Sequence, residues 1–185
     1  MRKLSIFNQL SLDGFFSDAN GDMSWAHKHD AEWNAFAGEN ASGNGELLFG
    51  RVTYQMMESF WPTPAAAEMN AAVAAGMNRM PKVVFSRTLD KVSWNNTRLF
   101  KGNLIEEVAR LKKEPGGDLV IMGSGSLCGP LVGAGLVDEL QLAVNPVVLG
   151  KGRSLFTGAE KPVAFKLSKT RSFKNGNVFL VYARE

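Results

Sequence analysis

Leu119-Val120-Ile121-Met122-Gly123-Ser124-Gly125-Ser126-Leu127 is an apolar run of strand length that breaks into glycine and serine and resumes as a helix. Leu47-Leu48-Phe49-Gly50-Arg51-Val52-Thr53-Tyr54 shows the same grammar earlier in the chain. A strand that ends at a glycine and leads into a helix leaves free backbone N–H groups at the helix start, where anionic phosphates settle. Two such places in a chain of 185 residues point to a dinucleotide held at both ends.

Working outward, the chain alternates strand and helix. Residues 4–10 read as a first strand, broken at Ser11-Leu12-Asp13-Gly14, and Asn20-Gly21 marks a turn. Residues 30–41 read as a helix with Trp33, Phe36 and Ala37 on one face. Residues 47–49 form a buried strand and 52–60 a helix that stops at Trp61-Pro62. Pro64 opens an alanine-rich helix along which Met69, Val73, Met77 and Met80 recur at helical spacing. Lys82-Val83-Val84-Phe85 is a strand, and Asn103 with Glu106 caps a helix carrying Leu104, Ile105, Val108 and Leu111. Residues 119–122 are wholly apolar, the pattern of a parallel strand covered on both faces. After Gly135 the grammar changes: 137–144, 163–173 and 178–184 are strands with no helix between them, the last two joined by an Asn175-Gly176 hairpin turn. The expectation is one α/β domain spanning residues 1-185, with a mixed sheet and helices on both faces.

Composition narrows the function. Apolar residues are 45% of the chain, which excludes disorder. Net charge is +3 and the pI about 9.1, but Lys and Arg are scattered, without the basic stripe of a nucleic-acid surface. No stretch approaches the roughly 20 apolar residues of a membrane span. A single cysteine, Cys128, forms no internal disulfide and fits a reducing compartment. A soluble cytoplasmic protein is expected, with no nucleic-acid or membrane partner.

Three turns carry candidate binding residues. Gly50 lets a ligand approach the backbone, Arg51 offers a fork of donors to a phosphate, and Thr53 places a hydroxyl in the first helical turn. Ser86 and Arg87 follow another buried strand, where an arginine suits a ribose 2′-phosphate. Gly123, Ser124, Gly125, Ser126 and Leu127 are placed to hold a pyrophosphate. This is not the Rossmann fingerprint: Gly129 falls one residue late, and the motif lies far from the N-terminus. Asp30 and Glu32 stand at a helix start, where a carboxylate commonly serves only the dipole but can protonate a ring nitrogen if it faces an apolar pocket. His27, His29 and Asp30 lack a third strong metal ligand nearby, so no metal site is expected. Cys128 reads as a small core residue, and Met56, Met57, Met69, Met77 and Met80 as core filling.

The order Ser11-Leu12-Asp13-Gly14, Trp25, an acid-bearing helix, Leu-Leu-Phe-Gly-Arg-x-Thr-Tyr from Leu47, Val83-Val84-Phe85-Ser86-Arg87, Gly123-Ser124-Gly125-Ser126-Leu127 and Gly135-Leu136-Val137-Asp138-Glu139-Leu140 resembles the dihydrofolate reductase-like superfamily. Within it, the chain looks like a stand-alone relative of the RibD C-terminal domain, the reductase half of a riboflavin-biosynthesis enzyme. The resemblance implies a three-layer αβα fold with a mainly parallel sheet and antiparallel C-terminal strands. It implies NADPH as hydride donor, a flat nitrogen heterocycle (a pteridine or an aminouracil) as acceptor, and a homodimer. Gly50, Arg51 and Thr53 would lie against the cofactor's phosphates, Ser86 and Arg87 at its 2′-phosphate, and Gly123 to Leu127 at the pyrophosphate. Asp13 and Trp25 would border the nicotinamide and substrate, and Glu32, four residues before Phe36, would take the place of the pterin-binding acid, with Asp30 competing. The segment from Trp25 to Glu32 lacks the proline pattern of true dihydrofolate reductases, which argues against folate. A nucleotide-binding module without turnover is the alternative.

Overall fold

The computed structural model describes residues 1–26 and 30–185. Alternation in the first strand, β1 (Leu4–Leu10), divides the molecule into two layers around a sheet. Leu4, Ile6 and Leu10 are buried on one face, while Ser5, Phe7 and Gln9 point to the other. The chain continues through β2 (Phe15–Ser17), a 3-10 turn at Ser24–Ala26, α1 (Ala31–Ala41), β3 (Glu46–Gly50), α2 (Arg51–Phe60), α3 (Pro64–Arg79), β4 (Lys82–Phe85) and β5 (Thr97–Phe100). It then forms α4 (Leu104–Leu111), β6 (Leu119–Met122), α5 (Gly125–Gly133), β7 (Glu139–Val144), β8 (Arg153–Ser154), β9 (Phe165–Ser172) and β10 (Val178–Arg184).

Eight strands form one sheet in the order β5-β4-β3-β6-β1-β7-β10-β9, and β2 pairs with β8 in a small second ribbon. The six strands from β5 to β7 run parallel, and β10 is antiparallel to both of its neighbours. The C-terminal third was expected to be antiparallel. The reversal falls at β10, because α5 carries the chain across so that β7 lies parallel beside β1. Asn175-Gly176 turns the β9–β10 hairpin as expected, with Gly176 at φ +90°.

Below one face, α4 and α5 bury Val108, Leu111, Leu127, Cys128, Leu131 and Val132 against Leu4, Ile6, Leu119 and Ile121. Above the other, α1 packs on α3, and a Cβ on Gly76 would collide with the Ala41 carbonyl. Asp30 caps α1 by accepting from the Trp33 amide at 2.7 Å, and Asn103 caps α4. The helix from Pro64 is not uniform. Asn70 sits at φ −160°, its Oδ1 accepts from the Val73 amide, and its Nδ2 donates to the Asn34 carbonyl of α1. The kink breaks the expected methionine stripe: Met77 and Met80 are buried, whereas Met69 and also Met56 of α2 are exposed. The strands β2, β5 and β8 are short and carry no alternation to read; β5 is an edge strand of the main sheet.

Candidate functional site

A cleft lies at the C-terminal rim of the parallel strands, where open α/β sheets bind ligands, and a cavity runs along one face of the sheet. The cleft is set by register. Gly50 pairs with Phe85 and Leu48 with Ile121, so the turns after β3, β4 and β6 emerge side by side. About 440 Å³ is enclosed by Gly50, Arg51, Val52, Thr53, Phe85, Ser86, Arg87, Thr88, Ser124, Gly125 and Ser126, with Phe16 of β2 closing the far side. Three stretches remote in sequence thus meet in one place.

Two of the turns are bolted together. Ser124 Oγ accepts a hydrogen bond from the Gly50 amide at 2.9 Å and donates to the Met122 carbonyl at 3.2 Å. The Ser124 amide in turn donates to Thr53 Oγ1 at 3.1 Å. Ser124 is buried and left-handed, at φ 57°, directly after Gly123 at φ 60°. A Cβ on Gly123 would lie 2.9 Å from Thr53 Cγ2, so only glycine fits that position. The hydroxyls of Ser124 and Thr53 therefore build the joint. The helix starts beside it stay open: neither α2 nor α5 has a side-chain cap, although each α-helix leaves its first amides without intrahelical partners. Arg51 is exposed and donates to Gln55 Oε1 within its own helix, and Arg87 is exposed. Ser86 Oγ accepts from the Thr88 and Leu89 amides, fixing the turn that presents Arg87. Leu127 turns into the core rather than the cleft.

The cavity, about 570 Å³, lies between the sheet and the α1–α3 layer. Its floor is formed by Ser5, Phe7 and Gln9 of β1, Val120 and Met122 of β6, and Glu139 and Gln141 of β7. Its roof includes Trp33, Ala37, Met69, Val73 and Met77. This corrects the expectation of a fully covered β6: Leu119 and Ile121 are buried, while Val120 and Met122 are partly exposed on the cavity side.

The remaining site residues are distributed differently. Asp13 is exposed and clamps two loops, accepting from the amides of Leu149 at 3.1 Å and Gly150 at 2.7 Å. The Ser11 hydroxyl, together with these amides, holds its carboxyl below the usual range. Trp25 is half-buried, donates from Nε1 to the Asp22 carbonyl, and its neighbour Ala26 is the one that lines the cavity. Asp30 spends its carboxylate on the α1 cap. Glu32 accepts from Arg171 of β9 at 3.0 Å, and that guanidinium lies over the Phe173 ring. Neither carboxylate is among the residues lining the cavity. His27 and His29 lie outside the described residues. Among the described residues no group of three or more His, Cys, Asp or Glu is arranged to hold a metal ion, and no helix is long and apolar enough to cross a membrane. Sequence reasoning missed the cavity floor. The signal was present: Ser5 and Gln9 are polar on one face of a strand that turns out to be central.

The sequence model of the RibD C-terminal domain matches residues 2–179. The uncharacterized protein YyaP of Bacillus subtilis is 31% identical over 182 residues, covering 98% of this chain and 94% of YyaP. A solved structure from Shewanella sp. PV-4, whose name links it to riboflavin biosynthesis, superposes with a TM-score of 0.73 at 23% identity, covering 100% of this chain and 99% of that one. Dihydrofolate reductase from Enterococcus faecalis, solved with NADP(H) and RAB-propyl, gives a TM-score of 0.65 at 17% identity, covering 99% of this chain and 96% of the enzyme. At such identities the two structures establish the fold: a dihydrofolate reductase-like mixed α/β sheet with antiparallel strands at its C-terminal end.

Proposed function

We propose a function that proceeds from family membership: the chain belongs to the RibD C-terminal domain family. On this reading it is an NADPH-dependent reductase of a small nitrogen heterocycle, of pteridine or ribosylaminouracil type. It works as one cytoplasmic domain, residues 1-185, paired as a homodimer. The observation that carries the proposal is the meeting of two uncapped helix starts and two arginines around one cleft.

The residues present suit the cofactor. Free amides at the starts of α2 and α5 favour anionic phosphate oxygens. Gly50 and Gly123 let the two turns pack closely, held in register by Ser124 and Thr53. Gly125 and Ser126 begin the helix whose free amides would take the pyrophosphate, with Leu127 anchored behind them in the core by its amide on the Ser124 carbonyl, and Arg51 flanks the same phosphates. Ser86 sets the turn from which Arg87 reaches a 2′-phosphate. NADPH, when bound, supplies the hydride. The chain contributes placement: Gln9 and Met122 bring the upper end of the cavity to the strand ends, and Trp33, Val73 and Met77 form an apolar roof over a seated acceptor. Calorimetric titration with NADPH and NADH tests the cofactor, and a screen of pterins, flavins and aminouracils for loss of NADPH absorbance tests the acceptor. Absence of heat with both nucleotides overturns the proposal. Light scattering at the 20.1 kDa chain mass overturns the homodimer.

A nucleotide-binding module without turnover is favoured by one observation: the carboxylates of Asp30 and Glu32 are committed to the Trp33 amide and to Arg171. A module binds NADPH and consumes none with any acceptor.

A further inference from the structure

We propose that the cavity takes an elongated acceptor whose reducible end lies against Gln9 and Met122 and whose far end carries an amine held by Glu139. The orientation rests on the reductase reading; the amine subsite rests on the cavity alone.

The strands β1 and β7 run parallel with Ser5 opposite Glu139, Phe7 opposite Gln141 and Gln9 opposite Ala143. Alternate residues share a face, so Ser5, Phe7 and Gln9 and their neighbours Glu139 and Gln141 form one strip of cavity floor. From Ser5 to Gln9 is four residues, about 13 Å at roughly 3.3 Å per residue. The upper end adjoins the Gly123 turn, since Met122, which lines it, immediately precedes Gly123. Here the lining is neutral. The middle, with Phe7, Leu47, Met77 and Val120, is apolar. Among the described lining residues, all the charged ones, Lys3, Asp118 and Glu139, stand at the lower end.

At that end the acids outnumber the cation, and of the two acids Glu139 is the partly buried one, whereas Asp118 is exposed. Lys3 is exposed, and Asp118 Oδ1 already accepts from the Lys3 amide at 2.8 Å. Glu139 stands between two small neighbours, Ser5 on β1 and Ala183 on β10. Its Oε1 accepts from Gln141 Nε2 at 2.6 Å, and its other oxygen has no hydrogen-bond partner among the described residues. Gln141 thus fixes the carboxylate and leaves one oxygen for a donor on the ligand. A partly buried carboxylate with an open oxygen favours an ammonium or amino group, through a charge-assisted hydrogen bond, and repels a carboxylate or phosphate.

The test uses three probes of one length: a phenyl ring on a six-carbon arm ending in an amine, an alcohol or a carboxylate. Binding to the whole protein is measured by calorimetry, alongside NADPH titration. The amine is expected to bind about tenfold or more tighter than the alcohol and tighter still than the carboxylate. Glu139→Gln is expected to erase that order and leave NADPH affinity unchanged. Equal binding of the wild type to amine and alcohol, failure of all three probes to bind, or a preference that survives Glu139→Gln overturns the proposal. The wild-type comparison decides the matter even if the variant does not fold. If the amine preference holds while NADPH fails to bind, the reductase reading falls and the subsite stands.

Discussion

Ser124 Oγ accepts the Gly50 amide hydrogen at 2.9 Å, tying the end of β3 to the turn after β6 across 74 positions of sequence. Both residues are buried. Ser124→Ala leaves a buried N–H without a partner, a cost of about 1–3 kcal/mol. Ser124→Gly loses the same hydroxyl but relieves the left-handed backbone, and is expected to cost less. Urea denaturation separates the two variants, and NADPH affinity is expected to fall in both because the helix starts lose their register.

Arg51 and Arg87 are exposed, so alanine at either position is expected to leave stability within about 0.5 kcal/mol. Their effect lies in binding. Arg87→Ala is expected to weaken NADPH by about tenfold or more with little change for NADH, while Arg51→Ala weakens both. Titration of each variant with each nucleotide checks this. Equal losses for NADPH and NADH in Arg87→Ala would remove Arg87 from the 2′-phosphate.

Glu32 and Arg171 are each about 39% exposed, which limits their ion pair to well under 1 kcal/mol of stability. Because the Glu32 carboxylate faces Arg171 and not the cavity, Glu32→Gln is expected to leave turnover within about threefold of wild type. A loss of about a hundredfold in kcat at unchanged NADPH affinity would instead establish Glu32 as the proton donor. Steady-state kinetics on the best acceptor from the screen decides between them.

Lys82 is fully buried, donates to the Met80 and Asn78 carbonyls, and lies 4.4 Å from the centre of the Trp94 ring. Burial pushes its pKa from 10.5 down to about 8. Between those values the unfolded chain binds the proton more tightly than the native state, so stability rises with pH across that window. The rise is at most about 3 kcal/mol, and Lys82→Met is expected to abolish it. Denaturant midpoints for both proteins from pH 7 to 10.5 measure the slope.

Cys128 has no exposed surface, its Sγ contacts the Gly123 carbonyl, and burial pushes its pKa up to about 12. The thiol is therefore expected to ignore an aromatic disulfide reagent in the native protein and to react stoichiometrically in denaturant. Rapid native labelling would show that α5 opens readily at its first turns.

The longer alternating strands and helices, the helix starts at Asp30 and Pro64, the cap at Asn103 and the Asn175-Gly176 turn were legible because each is set by local chemistry: period, the residue type at a helix start and left-handed glycine. So were the glycine turns of the cleft. The direction of β7, the kink at Asn70 and the fate of Glu32 were not, since each depends on a partner remote in sequence: β1, Asn34 and Arg171.

By itself, the sequence determined the longer strands and helices and which turns carry small residues at a helix start, because those properties reside in a few consecutive residues. Only the tertiary structure decided that Arg51, Arg87 and Ser124 border one cleft and that Glu139, rather than Glu32, faces the cavity. Strand order and register fix which side chains share a face, and order and register arise from packing across the whole sheet.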